Sequence, residues 1–270
     1  MAQRAHQAEG RFMGGVGSGA TPLDFQAVGI DAASNEQREL TWETLEMVLK
    51  IWDGLEPGTY ENRFWKFTIP EPMDELGFYV HMQPYQKPHP PIAVAGLGVR
   101  SDSLIKAGQN GWWPLSIDFV PSNTLKSQWD VYEESAFGAG ISPNRNDWRI
   151  CRNVFIAETT EEARNFALNG VMARDFVTYF RLVMDKLGFL DLMKMDPDMP
   201  DEAIDLEYMV DNIWIVGSRE DVIEKIRQLY RDVGGFGTLL AYSHEWEPRD
   251  QWIKSMTILA EEVIPSLSDL

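Results

Sequence analysis

Apolar residues along this chain recur with two different periods, and the periods alternate. Short, fully apolar runs such as Pro91-Ile92-Ala93-Val94-Ala95 have no polar face, as in strands buried on both sides of a parallel sheet. Between such runs, apolar residues return every three or four positions. Leu45, Val48, Leu49 and Trp52 share one helical face, as do Val222, Ile223, Ile226, Leu229, Tyr230 and Val233. Arg11–Val16 reads as a strand running into glycines, and residues 56–90 are mixed, with an excursion or a hairpin expected near Phe64–Phe67. After Pro91–Ala95 come a helix near Ser103–Asn110, a strand at Trp113–Ile117, a helix to about Ala139 capped by Ser122, and a strand at Trp148–Ala157.

Thr159-Thr160-Glu161-Glu162 is a capping box, because a threonine and a glutamate three residues on can satisfy each other's backbone amides. It opens one long helix expected to carry Phe166, Met172, Phe176, Tyr179, Val183 and Leu187 and to stop at Gly188. An acidic loop follows over residues 189–206, read as solvated and mobile. A second capping box, Ser218–Asp221, leads the next helix, Phe236–Ala241 is the last strand, and a helix closes the chain. Strand and helix in alternation predict an α/β fold with a parallel sheet. About five strands are visible, where a closed (β/α)8 barrel needs eight; an open doubly wound sheet is the structural rival.

Composition narrows the partners. The 270 residues carry a formal net charge of -18, which repels phosphate backbones and anionic lipid and argues against nucleic-acid and membrane partners. A hydrophobic fraction of 44% is ample for one core, so a single domain over 1–270 is expected. The lone cysteine, Cys151, rules out an internal disulfide and reads as a buried structural thiol. No apolar run is long enough to span a bilayer, and the first residues do not resemble a signal peptide, so the cytoplasm is the expected location.

Two segments carry candidate chemistry. In Gly14-Gly15-Val16-Gly17-Ser18-Gly19-Ala20-Thr21, closely spaced glycines let backbone approach an anion, although a plain strand-to-loop turn explains them equally well. In Ala93–Ser103, a buried strand passes through Gly96 and Gly98 into a helix start. There Arg100, Ser101, Asp102 and Ser103 can hold a phosphate, or Ser101 or Asp102 simply caps the helix. His6, His81, His89 and His244 are scattered without metal-ligand spacing and read as structural or surface residues. The acidic loop lacks the glycine and terminal glutamate of a calcium loop, and no G-x-S-x-G elbow is present. Trp112, Trp113, Phe119, Trp148, Trp214 and Trp246 are candidates either for a pocket wall or for core.

Taken in order, several stretches resemble the bacterial luciferase-like flavin monooxygenases, nearest to their limonene- and alkanal-monooxygenase-like members. They are Gly10-Arg11-Phe12 through Gly19, Asp24-Phe25, Gly29-Ile30-Asp31, Gln83–Ala93, Ser101–Leu104, Glu158–Ala163, Ile215–Ser218 and Gly234–Thr238. The resemblance implies a luciferase-like (β/α)8 barrel of which about strands four to eight are present. It also implies FMN, or alternatively F420, bound at the C-terminal rim. A separate reductase would supply reduced FMN, and O2 would oxygenate a small apolar terpene, ketone or aldehyde. By the same resemblance, Gly17, Ser18 and Gly19 lie beside the flavin, the Ser101–Ser103 segment holds its phosphate, and the loop after Gly188 excludes water; Gly96 and Arg100, from the helix-start reading, complete the cofactor-binding candidates. Ser18 stands where many relatives have arginine. The family's first three strands, roughly 90 residues, and a histidine they often carry have no counterpart, so no catalytic residue is assigned. A truncated barrel exposes sheet edges and predicts either a homodimer that buries them or a marginally stable chain that binds FMN weakly. A non-catalytic flavin-binding or partner subunit and an F420-dependent dehydrogenase are the alternative functions.

Overall fold

A computed structural model describes residues 1–19, 21–31, 34, 36–78 and 82–270. It divides into two compact units, Met1–Val94 and Ala95–Leu270. Among the described residues, no helix is long and apolar enough to cross a membrane.

In the first unit, helix α1 (Ala2–Gln7) precedes strand β1 (Gly14–Val16), which is shorter than the expected Arg11–Val16. Arg11 and Phe12 stay outside the strand; the Gln86 amide donates to the carbonyls of Gly10 (3.1 Å) and Phe12 (2.6 Å), which a neighbouring strand would otherwise engage. Helix α2 (Pro22–Ala27) opens with a capping box between Thr21 and Asp24. Helix α3 (Glu36–Asp53) buries Leu45 and Trp52, with Val48 and Leu49 half-buried, as its periodicity predicts. Strands β2 (Gly58–Glu61) and β3 (Lys66–Ile69) form the expected antiparallel hairpin. Its turn is held by Asn62, whose side-chain oxygen accepts from the amides of Phe64 (3.1 Å) and Trp65 (2.7 Å). Strand β4 (Ile92–Gly96) runs parallel to β1, with Gly14 opposite Ile92 and Val16 opposite Val94. Ile92, Ala93 and Val94 are all buried, as expected for a two-sided strand.

The second unit continues the alternation. Helix α4 (Asp102–Asn110) leads to strand β5 (Trp113–Ser116), helix α5 (Ser122–Gly138) and the eight-residue strand β6 (Arg149–Ile156). Pro121, not Ser122, occupies the N-cap position of α5 and makes no side-chain capping bond; Ser122 is already helical. Helix α4 packs tightly on α5 at Gly108, where a Cβ would sit 2.4 Å from the Tyr132 carbonyl oxygen. Beneath them, Trp148 is wholly buried and donates to Ser116 Oγ at 2.9 Å.

The long helix expected from Thr160 to Leu187 is three helices. α6 (Thr160–Asn169) ends at Gly170, whose extended backbone interrupts the ladder; α7 (Val171–Asp175) and α8 (Arg181–Lys186) flank a π-helical turn at Phe176–Phe180. Gly188, at φ +70, ends this stretch as predicted. The acidic loop is tied down: Lys194 bridges Asp191 and Asp201, and the Tyr208 hydroxyl donates to the Met193 carbonyl at 2.6 Å. Helix α9 (Leu206–Asn212) is followed by strand β7 (Ile215–Gly217), which sequence periodicity does not reveal because it is only three residues long. Helix α10 (Arg219–Val233), capped as predicted by Ser218 and Asp221, then leads to strand β8 (Thr238–Tyr242) and helix α11 (Arg249–Ile258). Six strands therefore belong to parallel pairings among the described residues, one more than expected. β6 is the hub of its unit: residues 149–153 pair with β8 and residues 154–156 with β7, both in parallel.

Candidate functional site

The segment leaving β4 keeps the features that suggest an anion site. Gly96 sits where a Cβ would strike Leu104 Cδ1 at 2.4 Å, so a side chain there would push the first turn of α4 away from the strand. Gln128, buried on α5, gathers the loop: its amide nitrogen lies 3.3, 3.2 and 3.2 Å from the carbonyl oxygens of Gly96, Leu97 and Gly98. Ser127 Oγ donates to the Val99 carbonyl at 2.8 Å. With its carbonyls drawn toward α5, the loop leads into α4, whose N-cap residue Ser101 makes no side-chain capping bond. The capping alternative for Ser101 is therefore not realised, and its hydroxyl is left for another acceptor. Arg100 is exposed and pairs with Glu134 at 3.3 Å, so its charge is partly spent before any ligand arrives. Asp102 begins the helix.

Gly17, Ser18 and Gly19 lie in the loop after β1, in the first unit, while Gly96 and Arg100–Ser103 lie in the second. A Cβ at Gly17 would meet nothing within 4 Å; Gly19, at φ +82 against Phe25, needs its glycine for conformation. Ala20 and His81 lie outside the described residues.

A second cluster, not anticipated from sequence, surrounds a cavity of about 290 Å3 lined by residues of the second unit. Its apolar wall includes Phe119, Phe176, Phe180 and Trp214, and its polar side is Asp118, Asn153, Asp175 and His244. Asp118 lies just past the end of β5 and His244 just past β8, on the side of a parallel sheet where α/β folds place ligands. Asn153 Nδ2 donates to Asp118 Oδ2 at 2.7 Å, and Asn153 Oδ1 meets His244 Nε2 at 2.7 Å. His244 Nδ1 meets Asp175 Oδ2 at 2.9 Å, and Asp175 is also held by Arg174. Phe176, Tyr179 and Phe180, all within the π-helical turn, line this cavity together.

Burial pushes the Asp118 carboxyl up, against the opposing pull of the Asn153 hydrogen bond and of the Arg152 and His244 charges. Burial also pulls the Arg152 guanidinium down to about 10; it donates to the carbonyls of Ile117, Asp118 and Val120. For Asp175, burial is outweighed by hydrogen bonds from His244 and Arg174, which hold the carboxyl low. The Cys151 thiol is raised to about 11 by burial and by Asp118, in keeping with a structural role.

His244, expected to be a structural or surface residue, is thus part of this cavity. The available signal was position: polar residues immediately beyond two apolar strands, and one asparagine inside a third. Of the aromatic candidates, Phe119 and Trp214 line the cavity and Trp148 is core. Trp113 lies under the Arg149 guanidinium at 3.7 Å, and Trp246 is exposed. Among the described residues, no group of three or more histidines, cysteines or carboxylates is placed to hold a metal ion.

The model of the luciferase-like monooxygenases matches residues 2–235. The chain belongs to this family. It is an oxidoreductase of the luciferase-like fold, and the described residues supply six parallel strands of it. It is 31% identical over 276 residues to 3,6-diketocamphane 1,6-monooxygenase of Pseudomonas putida, covering 96% of this chain and 72% of that protein. Limonene 1,2-monooxygenase of Rhodococcus erythropolis is 25% identical over 268 residues, with 96% of this chain and 62% of that protein covered. Among solved structures, the oxygenating constituent of 3,6-diketocamphane monooxygenase from Pseudomonas putida superposes with a TM-score of 0.87 at 33% identity. The match covers 97% of this chain and 72% of that one. That protein is a type II Baeyer-Villiger monooxygenase in complex with FMN. The long-chain alkane monooxygenase shares the fold, at a TM-score of 0.64 and 18% identity.

Proposed function

We propose that this chain is the oxygenating part of a two-component flavin monooxygenase that acts on a small apolar ketone or terpene with O2. Reduced FMN would come from a separate reductase. The observation that carries the reading is the uncapped N-terminus of α4, entered through a glycine loop whose carbonyls are turned aside by Gln128. A helix start of this kind offers amide donors and the positive end of a dipole to a phosphate. The donor set fits FMN: Ser101 and Ser103 add hydroxyls, Arg100 adds a positive charge, and Gly96 keeps the helix close to the strand. Asp102 opposes an anion only if its carboxylate turns inward, and its side chain is exposed. For the first unit, Gly17, Ser18 and Gly19 remain a proposed flavin contact.

Bound reduced flavin supplies the electrons that activate O2. The chain's own contribution is to hold the phosphate, to offer an apolar cavity to the substrate, and to keep water out. The FMN-bound relative at 33% identity supports FMN over F420, whose users among the similar structures share only the fold.

Flavin fluorescence titration and reductase-coupled oxygen uptake, with and without a bicyclic ketone or limonene, test the reading together. Ser103→Asp places a second carboxylate at the phosphate end and should weaken FMN binding at least tenfold, about 1.4 kcal/mol. Oxygen uptake should yield an oxygenated product only when ketone or terpene is present. Unchanged FMN affinity in the variant would remove the phosphate assignment, and absence of product with every apolar substrate would remove the oxygenase.

A further inference from the structure

The polar side of the cavity is more elaborate than holding a small apolar molecule requires. Donors and acceptors must balance along Asp118, Asn153, His244 and Asp175, and ionised carboxylates and amide oxygens only accept. With Asn153 Nδ2 donating to Asp118, both ring nitrogens of His244 face oxygen acceptors, Asn153 Oδ1 and Asp175 Oδ2. In this arrangement the ring carries two protons and Asp118 none. Turning the Asn153 amide end for end reverses every donor between Asp118 and the ring. Asn153 then donates to Nε2, a protonated Asp118 donates to Asn153 Oδ1, and the ring keeps only the Nδ1 proton that it gives to Asp175. The two arrangements hold the same number of protons and the same net charge, and they differ in where one proton resides.

We infer that Asp118, Asn153 and His244 hold one proton in common, and that this proton serves the oxygen of a small apolar ligand lodged in the cavity. The surroundings keep the two arrangements comparable. Burial favours protonated Asp118, whereas the Arg152 guanidinium beside it favours the carboxylate. On the other side, Asp175 faces Nδ1 and is itself paired with Arg174, which also reaches Glu245 and Glu247. Tyr179, Tyr242 and Cys151 also stand beside the relay. The volume, about 290 Å3, suits a compact molecule near the lower end of small-ligand pockets. When the ligand's oxygen gains negative charge, the Nε2–H bond breaks, its electron pair stays on nitrogen, and a new O–H bond forms. The ring is left neutral, with Nδ1–H on Asp175, and regains its proton from solvent. Only the identity of the ligand rests on the proposed oxygenase; proton sharing needs neither flavin nor substrate.

Nitrogen NMR of the full chain with 15N-labelled histidine rings tests this directly, because the chain has only four histidines. In the wild-type protein the His244 ring should titrate in two coupled steps. Asp118→Asn should move its midpoint by about one pH unit, and the same change made alongside Asn153→Leu should move it less than half as far. A midpoint indifferent to Asp118→Asn overturns the shared proton. If the variants do not fold, a wild-type Nε2 nitrogen shift matching a fully protonated or a fully neutral imidazole at neutral pH overturns it, and a shift between the two upholds it. Cyclohexanone, as the probe ketone, should shift the His244 signals while leaving those of His6 and His89 in place; no shift at saturating ketone overturns the ligand assignment. A protein that passes all of these yet oxygenates nothing would contradict the proposed oxygenase and leave the relay standing.

Discussion

Asp118 shows how much a single side chain can be made to do by its surroundings. Burial raises its carboxyl above the ordinary range, so its neutral form is favoured by folding. The contribution to stability is present at low pH, below the unfolded carboxyl value, and is lost as pH rises through the raised folded value. Asp118→Asn removes that pH dependence. Relative to wild type, the variant should therefore gain thermal stability as pH rises from 4 to 8, as followed by melting at each pH; a constant difference would mean that the carboxyl is not raised. This residue was not legible as functional beforehand, because an aspartate after a strand is ordinary loop chemistry. His244 was visible, but only as one histidine among four. What joins them is the register of three strands distant in sequence, and no local pattern encodes that. By contrast, the helix start at Ser101–Ser103 was readable, since glycine after an apolar run and hydroxyls at a helix start are adjacent in the chain.

Elements were legible where the local code was complete. Thr159 with Glu162, and Ser218 with Asp221, are reciprocal capping boxes in the structure as in the sequence. Each cap should contribute about 1 kcal/mol, so Thr159→Ala and Ser218→Ala should each lower stability to urea by roughly that amount. Gly108→Ala should cost more, about 1–3 kcal/mol, because its methyl group would press on the α5 backbone at Tyr132 and Ala136 rather than on a yielding side chain. If Gly108→Ala proves neutral, α4 and α5 are less tightly apposed than described. Elements were missed where the code was short or interrupted. Strand β7 has three residues and no room for a period, and the periodicity of residues 160–187 carries straight across Gly170 and the π-helical turn that divide it. That apolar repeat survives because the turn still directs Phe176 and Phe180 inward, although toward a cavity rather than a continuous core.

At the scale of the molecule, a net charge of -18 sets the field that an anionic cofactor meets. Long-range repulsion is screened by salt, whereas hydrogen bonds from helix amides are not. Association of FMN should therefore quicken as ionic strength rises from low to physiological values, read by stopped-flow quenching of flavin fluorescence. A slowing would show that Arg100 and its neighbours dominate the approach. The family and the parallel α/β architecture were both legible, because they rest on many short segments in order. The branching of pairings around β6 was not. Strand β6 changes partner between Asn153 and Val154, with β8 along its first five residues and β7 along its last three. A strand that slips by one position turns every side chain to the opposite face. Three ladders, with β5, β8 and β7, would have to slip together for β6 to do so. Arg152 and Asn153, neighbours that must face opposite ways, stand at the seam where one lock hands over to the other, and are doubly insured against misregistration.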